Sequence, residues 1–259
     1  MLESLYAGAV ADANARQELV SLSEIESLAS TATPSLNAIE VLSAGEFVKV
    51  IAEIKRASPS KGHLATIDDP ASLASVYQLA GASAISVLTE QRSFLGSLQD
   101  LDAVRSAVSL PLLRKDFIAN EYQVLEARAH GADIVLLIAA GIDDKLLIRL
   151  KELAESLGMI AFIETHNRAE VEFAASIDAK LVGVNARDLT TFETNRNLFE
   201  ELVDLLPKDC IKVAESAVRG VEDVKAYALA GADCVLVGEA LVTGDAKALV
   251  GAFSRIGKA

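Results

Sequence analysis

The chain has 259 residues, 51% of them hydrophobic, so it can bury a sizeable core and is not a disordered polymer. Its 37 Asp and Glu against 24 Lys and Arg give a formal charge of −13, which repels polyanions and argues against nucleic acid or an anionic membrane as partner. No apolar run approaches the ~18 residues of a membrane helix, and no basic start leads into an apolar stretch, so a cytoplasmic chain without a signal peptide is expected.

In chain order, residues 1–45 carry helical spacing: Leu2, Leu5 and Tyr6, then Leu22, Ile25 and Leu28. Ser23 is the expected cap of the second of these helices, and Pro34 closes it. Beyond residue 45, β-branched runs at 48–55, 84–88, 110–115, 133–138, 159–164, 180–185, 211–215 and 233–237 read as strands. Amphipathic segments at 71–80, 98–108, 121–130, 145–157, 169–176 and 221–230 read as helices between them, with Asp69-Pro70 as a cap and first-turn proline. Ala80-Gly81-Ala82, His130-Gly131-Ala132 and Ala230-Gly231-Ala232 form a weak repeat that ends a helix just before a strand. This alternation calls for a parallel sheet, and eight units in this length favour closure into a (β/α)8 (TIM) barrel. The expectation is one α/β domain, 1–259, in which the N-terminal helices cap one end of the barrel.

In such a barrel side chains alternate between the interior and the helix layer, and chemistry sits at the carboxyl ends of the strands. Lys49, Ile51, Glu53 and Lys55 share the inward face of the first strand, while Val48, Val50, Ala52 and Ile54 face the helices. The third strand ends in Lys115, the fifth in Glu164, the sixth in Asn185 followed by Arg187, and the seventh in Glu215-Ser216. The fourth ends in Leu137-Ile138-Ala139, a wall suited to a flat apolar ligand part. Each polar group has a structural alternative: a snorkelling Lys55, a Lys115 at an exposed strand end, a Glu–Lys ion pair for Glu164. Three carboxylates and two lysines in one mouth would separate their pKa values and supply both an acid and a base.

Two loops suit phosphate, although an ordinary βα turn carries equal weight: Glu215-Ser216-Ala217-Val218-Arg219-Gly220 and Gly238-Glu239-Ala240-Leu241. Ser58-Pro59-Ser60-Lys61-Gly62 lacks the Walker spacing, so ATP or GTP is not indicated. Cys210 and Cys234, and the scattered His63, His130 and His166, have no ligand spacing, so neither a zinc site nor a disulfide framework is expected.

The chain resembles the indole-3-glycerol-phosphate synthase family from its N-terminal helices to its end. The run Ile51-Ala52-Glu53-Ile54-Lys55-Arg56-Ala57-Ser58-Pro59-Ser60-Lys61-Gly62 carries most of the likeness. Ser86-Val87-Leu88-Thr89-Glu90, Phe94-x-Gly96-Ser97, Leu113-Arg114-Lys115-Asp116-Phe117-Ile118, Glu164-Thr165-His166, Asn185-Ala186-Arg187-Asp188-Leu189 and Ala214-Glu215-Ser216 follow in order. The resemblance implies ring closure of 1-(2-carboxyphenylamino)-1-deoxyribulose 5-phosphate with loss of CO2 and water. It implies no cofactor and no metal, a small anionic phosphosugar as the only partner, and a monomer.

On this resemblance Lys115 is the general acid at the ketone, Glu53 stabilises the cationic intermediate and Glu164 is the base. Lys55 binds the anionic substrate and serves as a second acid. Asn185 and Glu215, with Ser216 beside them, fix hydroxyl and ammonium positions. Ser58 and Arg187 take the carboxylate or phosphate, Phe94, Phe117 and Ile138 clasp the anthranilate ring, and Ala217, Gly238 and Glu239 lie at the phosphate. Two residues depart from the usual pattern: Ala217 stands where Gly is common, and Ala186 where Asn or Ser is. The chain is expected to stop one helix after the eighth strand, without the fused isomerase domain of some relatives. Two rival readings stay open: an aldolase-type barrel with Lys55 or Lys115 as Schiff-base nucleophile, and a non-catalytic phosphosugar-binding barrel.

Overall fold

The computed structural model describes residues 2–188 and 193–259; Leu189, the last residue of the Asn185 motif, lies outside them. Among the described residues eight parallel strands close into a barrel in chain order: β1 (Lys49–Ile54), β2 (Ala84–Leu88), β3 (Leu112–Lys115), β4 (Ile134–Ile138), β5 (Ile160–Thr165), β6 (Leu181–Asn185), β7 (Ile211–Glu215) and β8 (Cys234–Val237), with β8 pairing β1. Strand alternation sorts the apolar residues into two layers. Ile51, Leu113, Leu136, Phe162 and Leu236 fill the interior, while Val50, Ile85, Leu112, Val135, Ile163, Val182 and Val235 pack under the helices. The expected two faces of β1 are therefore observed. The parallel register sets Leu88 beside Lys115, Ile138 beside Glu164 and Asn185 beside Glu215 at one rim.

The helices of the barrel proper include α4 (Pro70–Ala80), α5 (Leu98–Ala107), α6 (Glu121–Ala129), α7 (Asp144–Ser156), α8 (Arg168–Ser176), α9 (Leu198–Leu202) and α10 (Val221–Leu229), numbered after three helices of the N-terminal segment. Asp69 caps α4, accepting from Ser72 N at 2.9 Å, with Pro70 in the first turn. Gly81, Gly131 and Gly231, the glycines of the repeat, all take positive φ after a helix, where an L-residue would be strained. Two helices follow β8, α11 (Glu239–Thr243) and α12 (Ala246–Phe253), where one was expected. Asp245 caps α12 through Ala248 N, so the apolar 239–253 stretch breaks at Gly244 instead of running on.

The N-terminal segment forms α1 (Leu2–Leu19), α2 (Leu22–Thr31) and α3 (Ala38–Ser43). Ser21, not Ser23, caps α2: its hydroxyl accepts from Glu24 N at 3.3 Å. Both serines have a Glu three residues on, so the capping pattern alone does not choose between them, and the earlier start adds two residues of helix. The expectation that these helices cap one end holds for α3 alone. Ala38 and Leu42 pack against Ile134, Leu181, Ile211 and Cys234 at the amino ends of the strands, and Asp133 accepts from Leu36 N at 2.7 Å.

In contrast α2 lies along α6, packing Ile25 and Ala29 against Tyr122 and Leu125. Along the same flank α1 climbs to the carboxyl-end rim, where Tyr6 meets Phe117 edge-on with centroids 5.4 Å apart. Buried Arg114 of β3 ties this flank together, donating to Thr89, Asp116, Gln123 O and Glu126, and Glu126 is also gripped by Arg16 of α1. No described helix is long and apolar enough to cross a membrane.

Candidate active site

Every residue singled out above for catalysis or binding lines one cavity of about 680 Å³ at the carboxyl ends of the strands. At its floor the Lys115 ammonium meets three carboxylates delivered by separate strands: Glu215 Oε2 at 2.8 Å, Glu53 Oε2 at 3.6 Å and Glu164 Oε2 at 3.6 Å. Lys55 Nζ stands 2.7 Å from Glu53 Oε1, so Glu53 lies between two cations. Asn185 donates from Nδ2 to Glu164 Oε1 at 3.0 Å, while its Oδ1 accepts from Ser216 Oγ at 2.7 Å and Arg187 N at 3.0 Å, which fixes the amide's orientation. A Cβ on Gly238 would sit 2.3 Å from Glu53 Oε1, and one on Gly183 2.2 Å from Glu215 Oε1, so both glycines leave room for these carboxylates.

The charges set one another. Burial by itself disfavours the charged forms of all four groups. For Lys115 the surrounding Glu215, Glu53 and Glu164 outweigh it and hold the ammonium well above the ordinary lysine range. Lys55 and Lys115 together pull Glu53 below the usual carboxylate range. Lys115 and His166, with the Asn185 hydrogen bond, likewise pull Glu164 well below that range. Glu215 goes the other way: burial and repulsion from Glu164 push it up to about 8, against the pull of Lys115. One mouth thus holds a firmly ionised carboxylate, a carboxyl that titrates near neutrality and a protonated amine.

One wall is apolar. Phe94 and Phe117 lie 6.1 Å apart, with Ile138 and Leu136 beside them. The loop carrying Phe94 is pinned by Glu90, whose Oε2 accepts from Ser93 N at 2.7 Å and Phe94 N at 2.8 Å. Across the cavity, Gly238 precedes the first turn of α11, and Arg187 and Lys61 approach the Glu239 carboxylate at 3.8 and 3.4 Å. Ser58 Oγ is buried at the cavity edge without a hydrogen-bond partner among the described residues, a group left for a ligand.

The substitution at Ala217 has a structural consequence. Ser216 and Ala217 both take left-handed backbone, φ 67° and 61°. That region costs an L-residue ~1–2 kcal/mol. Glycine's extra freedom in the unfolded chain costs ~0.4–1 kcal/mol. Ala217→Gly is therefore expected to stabilise the protein by about 0.5–1 kcal/mol, a rise of a few degrees in Tm at most. Thermal unfolding of the variant checks this; an unchanged or lower Tm would show the turn to be unstrained.

Sequence reasoning missed several groups that the structure brings to the site. Leu5 of α1 lines the cavity, as do Lys61, Arg196 and Arg219. The helical spacing around Leu5 announced a helix but not its destination. His166 belonged to a quoted motif without an assigned role, yet its Nε2 lies 3.2 Å from Glu164 Oε1.

A family model described as indole-3-glycerol phosphate synthase matches residues 2–252. A protein of that name from Leifsonia xyli is 55% identical over 253 residues, covering 98% of this chain and 97% of its own. One from Mycolicibacterium smegmatis is 55% identical over 251 residues, covering 96% and 92%, and one from Mycobacterium tuberculosis is 53% identical over the same span and shares. Among solved structures, an N-acetylmannosamine-6-phosphate 2-epimerase from Clostridium perfringens matches with a TM-score of 0.64 at 15% identity, over 84% of this chain and 96% of that one. At that identity the likeness is one of fold alone.

Proposed function

The chain belongs to the indole-3-glycerol phosphate synthase family, and on that premise we propose that this cavity closes the ring of 1-(2-carboxyphenylamino)-1-deoxyribulose 5-phosphate, releasing CO2 and water. The observation that carries the reading is the Lys115 ammonium in contact with carboxylates from β1, β5 and β7 beside an aromatic wall. The anthranilate ring lies between Phe94, Phe117 and Ile138. The phosphate sits at the backbone of Ala217, Gly238 and Glu239, where the first turn of α11 offers N–H groups; the Glu239 carboxylate would repel it and instead faces Arg187 and Lys61. Ser58 and Arg187 take the remaining anionic oxygens.

In the first step the ring carbon bearing the carboxylate attacks the ketone carbon, and Lys115 gives its proton to the ketone oxygen as charge develops there. The resulting cationic ring is stabilised by Glu53 until the bond to the carboxylate breaks and CO2 leaves. Water then departs: Lys55 protonates the new hydroxyl while Glu164 takes a proton from the neighbouring carbon. Two protons enter, one leaves, and the net uptake of one matches the loss of a carboxylate as neutral CO2. Asn185, Ser216 and Glu215 hold the reacting groups, and folding an extended substrate between the two walls supplies proximity.

A Schiff-base mechanism fits less well, because a nucleophilic lysine needs a depressed pKa and Lys115 is held in the opposite direction. Leu5 and Tyr6 support reading α1–α3 as part of the catalytic domain. Two buried free thiols, Cys210 and Cys234, suit the reducing cytoplasm. Adding the ribulose phosphate substrate to the purified protein should produce indole fluorescence in step with CO2 release. Unchanged substrate would overturn the assignment.

A further inference from the structure

We propose that His166 is a positioning residue for this reaction, its imidazolium anchored by Glu170 so that Glu164 stays anionic and presents one chosen oxygen to the substrate. The proposal rests on the reading of Glu164 as base given above.

His166 follows β5 and stands between two carboxylates. Its Nε2 is 3.2 Å from Glu164 Oε1, and its Nδ1 is 3.2 Å from Glu170 Oε2. Glu170 is itself fixed, since its Oε2 also accepts the His166 backbone N–H at 2.8 Å. Its backbone N–H is capped by Asn167 Oδ1 at 3.0 Å, and Asn167 Nδ2 donates to Glu170 Oε1. The ring, only 9% exposed, is therefore held from its Nδ1 side before any substrate arrives, with Nε2 in ion-pair range of Glu164.

The consequence falls on Glu164. Asn185 donates to Oε1, and His166 Nε2 lies 3.2 Å from the same oxygen as a charge contact outside hydrogen-bond geometry; Oε2 has no hydrogen bond and faces the cavity and the Lys115 ammonium. The free oxygen is the one with a lone pair available to accept a proton. The groups that face this carboxylate are Lys115 on β3, Glu53 on β1, Glu215 on β7, Asn185 on β6, the Tyr6 hydroxyl on α1 and His166. Of its two cations, Lys115 is the one that gives up its charge in the first step. From then until water leaves, His166 is the remaining positive charge in contact with Glu164. Without it, Glu164 would sit among carboxylates with no counter-charge and take a proton from solvent before it could act. Burial disfavours the imidazolium, but Glu164 and Glu170 push its pKa up to about 10, so the charge persists at neutral pH.

The test compares pH–rate profiles of the wild type, His166→Gln, which removes the charge, and His166→Arg, which restores it. Loss of a contacting charge shifts a carboxylate by ~1–3 units. The acid limb of kcat for His166→Gln is expected to move up by about one unit or more, with activity recovering toward wild type at high pH, and His166→Arg should move it back. A purely structural role would lower kcat or Tm without moving the limb, so an unmoved limb overturns the proposal. A second measurement needs no variant: NMR titration of the His166 ring in the wild type should find it charged at pH 7, and a neutral ring would equally overturn it. If the wild type turns over and the limb stays put, this inference fails while the function stands. If the wild type makes no indole product, the function fails, and the NMR titration still decides whether the clamp is charged.

Discussion

Alanine in place of Lys115 is expected to lower turnover by about two to four orders of magnitude, the usual worth of a positioned general acid. The structure adds a second reason for a large effect. Lys115 is the common counter-charge of Glu53, Glu164 and Glu215, all of them buried. With the ammonium gone, Lys55 still contacts Glu53 and His166 still contacts Glu164, but Glu215 loses the only ion pair it makes among the described residues. The cluster must then take up protons, and some of that uptake falls on Glu164, so the variant loses its acid and weakens its base together. The barrel's helix-facing core does not depend on Lys115, and circular dichroism should find the fold retained. Steady-state indole fluorescence measures the rate. A folded variant with near-normal turnover would remove the acid assignment.

Glu164→Gln is expected to cost a similar two to four orders of magnitude. The substitution is nearly isosteric and keeps an acceptor for Asn185 Nδ2, now 3.0 Å from Oε1, so the site's shape survives. What disappears is the ionisable oxygen. The amide cannot accept the proton that must leave for water to depart, and raising the pH cannot restore it. The sign is definite: Glu164 is held below the ordinary carboxylate range, so in the wild type it is already ionised at neutral pH and any acid limb it causes lies below that. In the variant this limb should vanish along with the rate. A pH–rate profile matching the wild type in height and shape would count against Glu164 as the base.

Much of this was legible along the chain. Period-two patterning in β1 separated Glu53 and Lys55 from Val50, Ala52 and Ile54, because a strand has only two faces and one of them must be apolar against the helices. The glycines at 81, 131 and 231 marked helix ends through a local backbone demand. Lys115, Glu164, Asn185 and Glu215 could be placed at one rim because all eight strands run the same way and each of these residues is the last of its strand or, for Glu164, the last but one. Local rules failed where two local solutions were equivalent, as with Ser21 and Ser23, or where a break such as Gly244 divided an apolar stretch.

By itself, then, the order of residues determined the strand–helix alternation, the inward set of polar side chains and the family, since each depends on near neighbours or on unbroken runs. Only the tertiary structure decided that α3 closes the amino end while α1 climbs the flank to bring Leu5 and Tyr6 to the cavity, because helical periodicity names a buried face without naming what buries it. The closed barrel also brought Glu53, Glu164 and Glu215 around one ammonium, and it is their mutual distances that part their proton affinities, Glu164 downward and Glu215 upward. Coulombic coupling acts through space, between residues far apart in the chain (100 positions for Lys115 and Glu215), so no local pattern could have assigned which carboxylate is ionised.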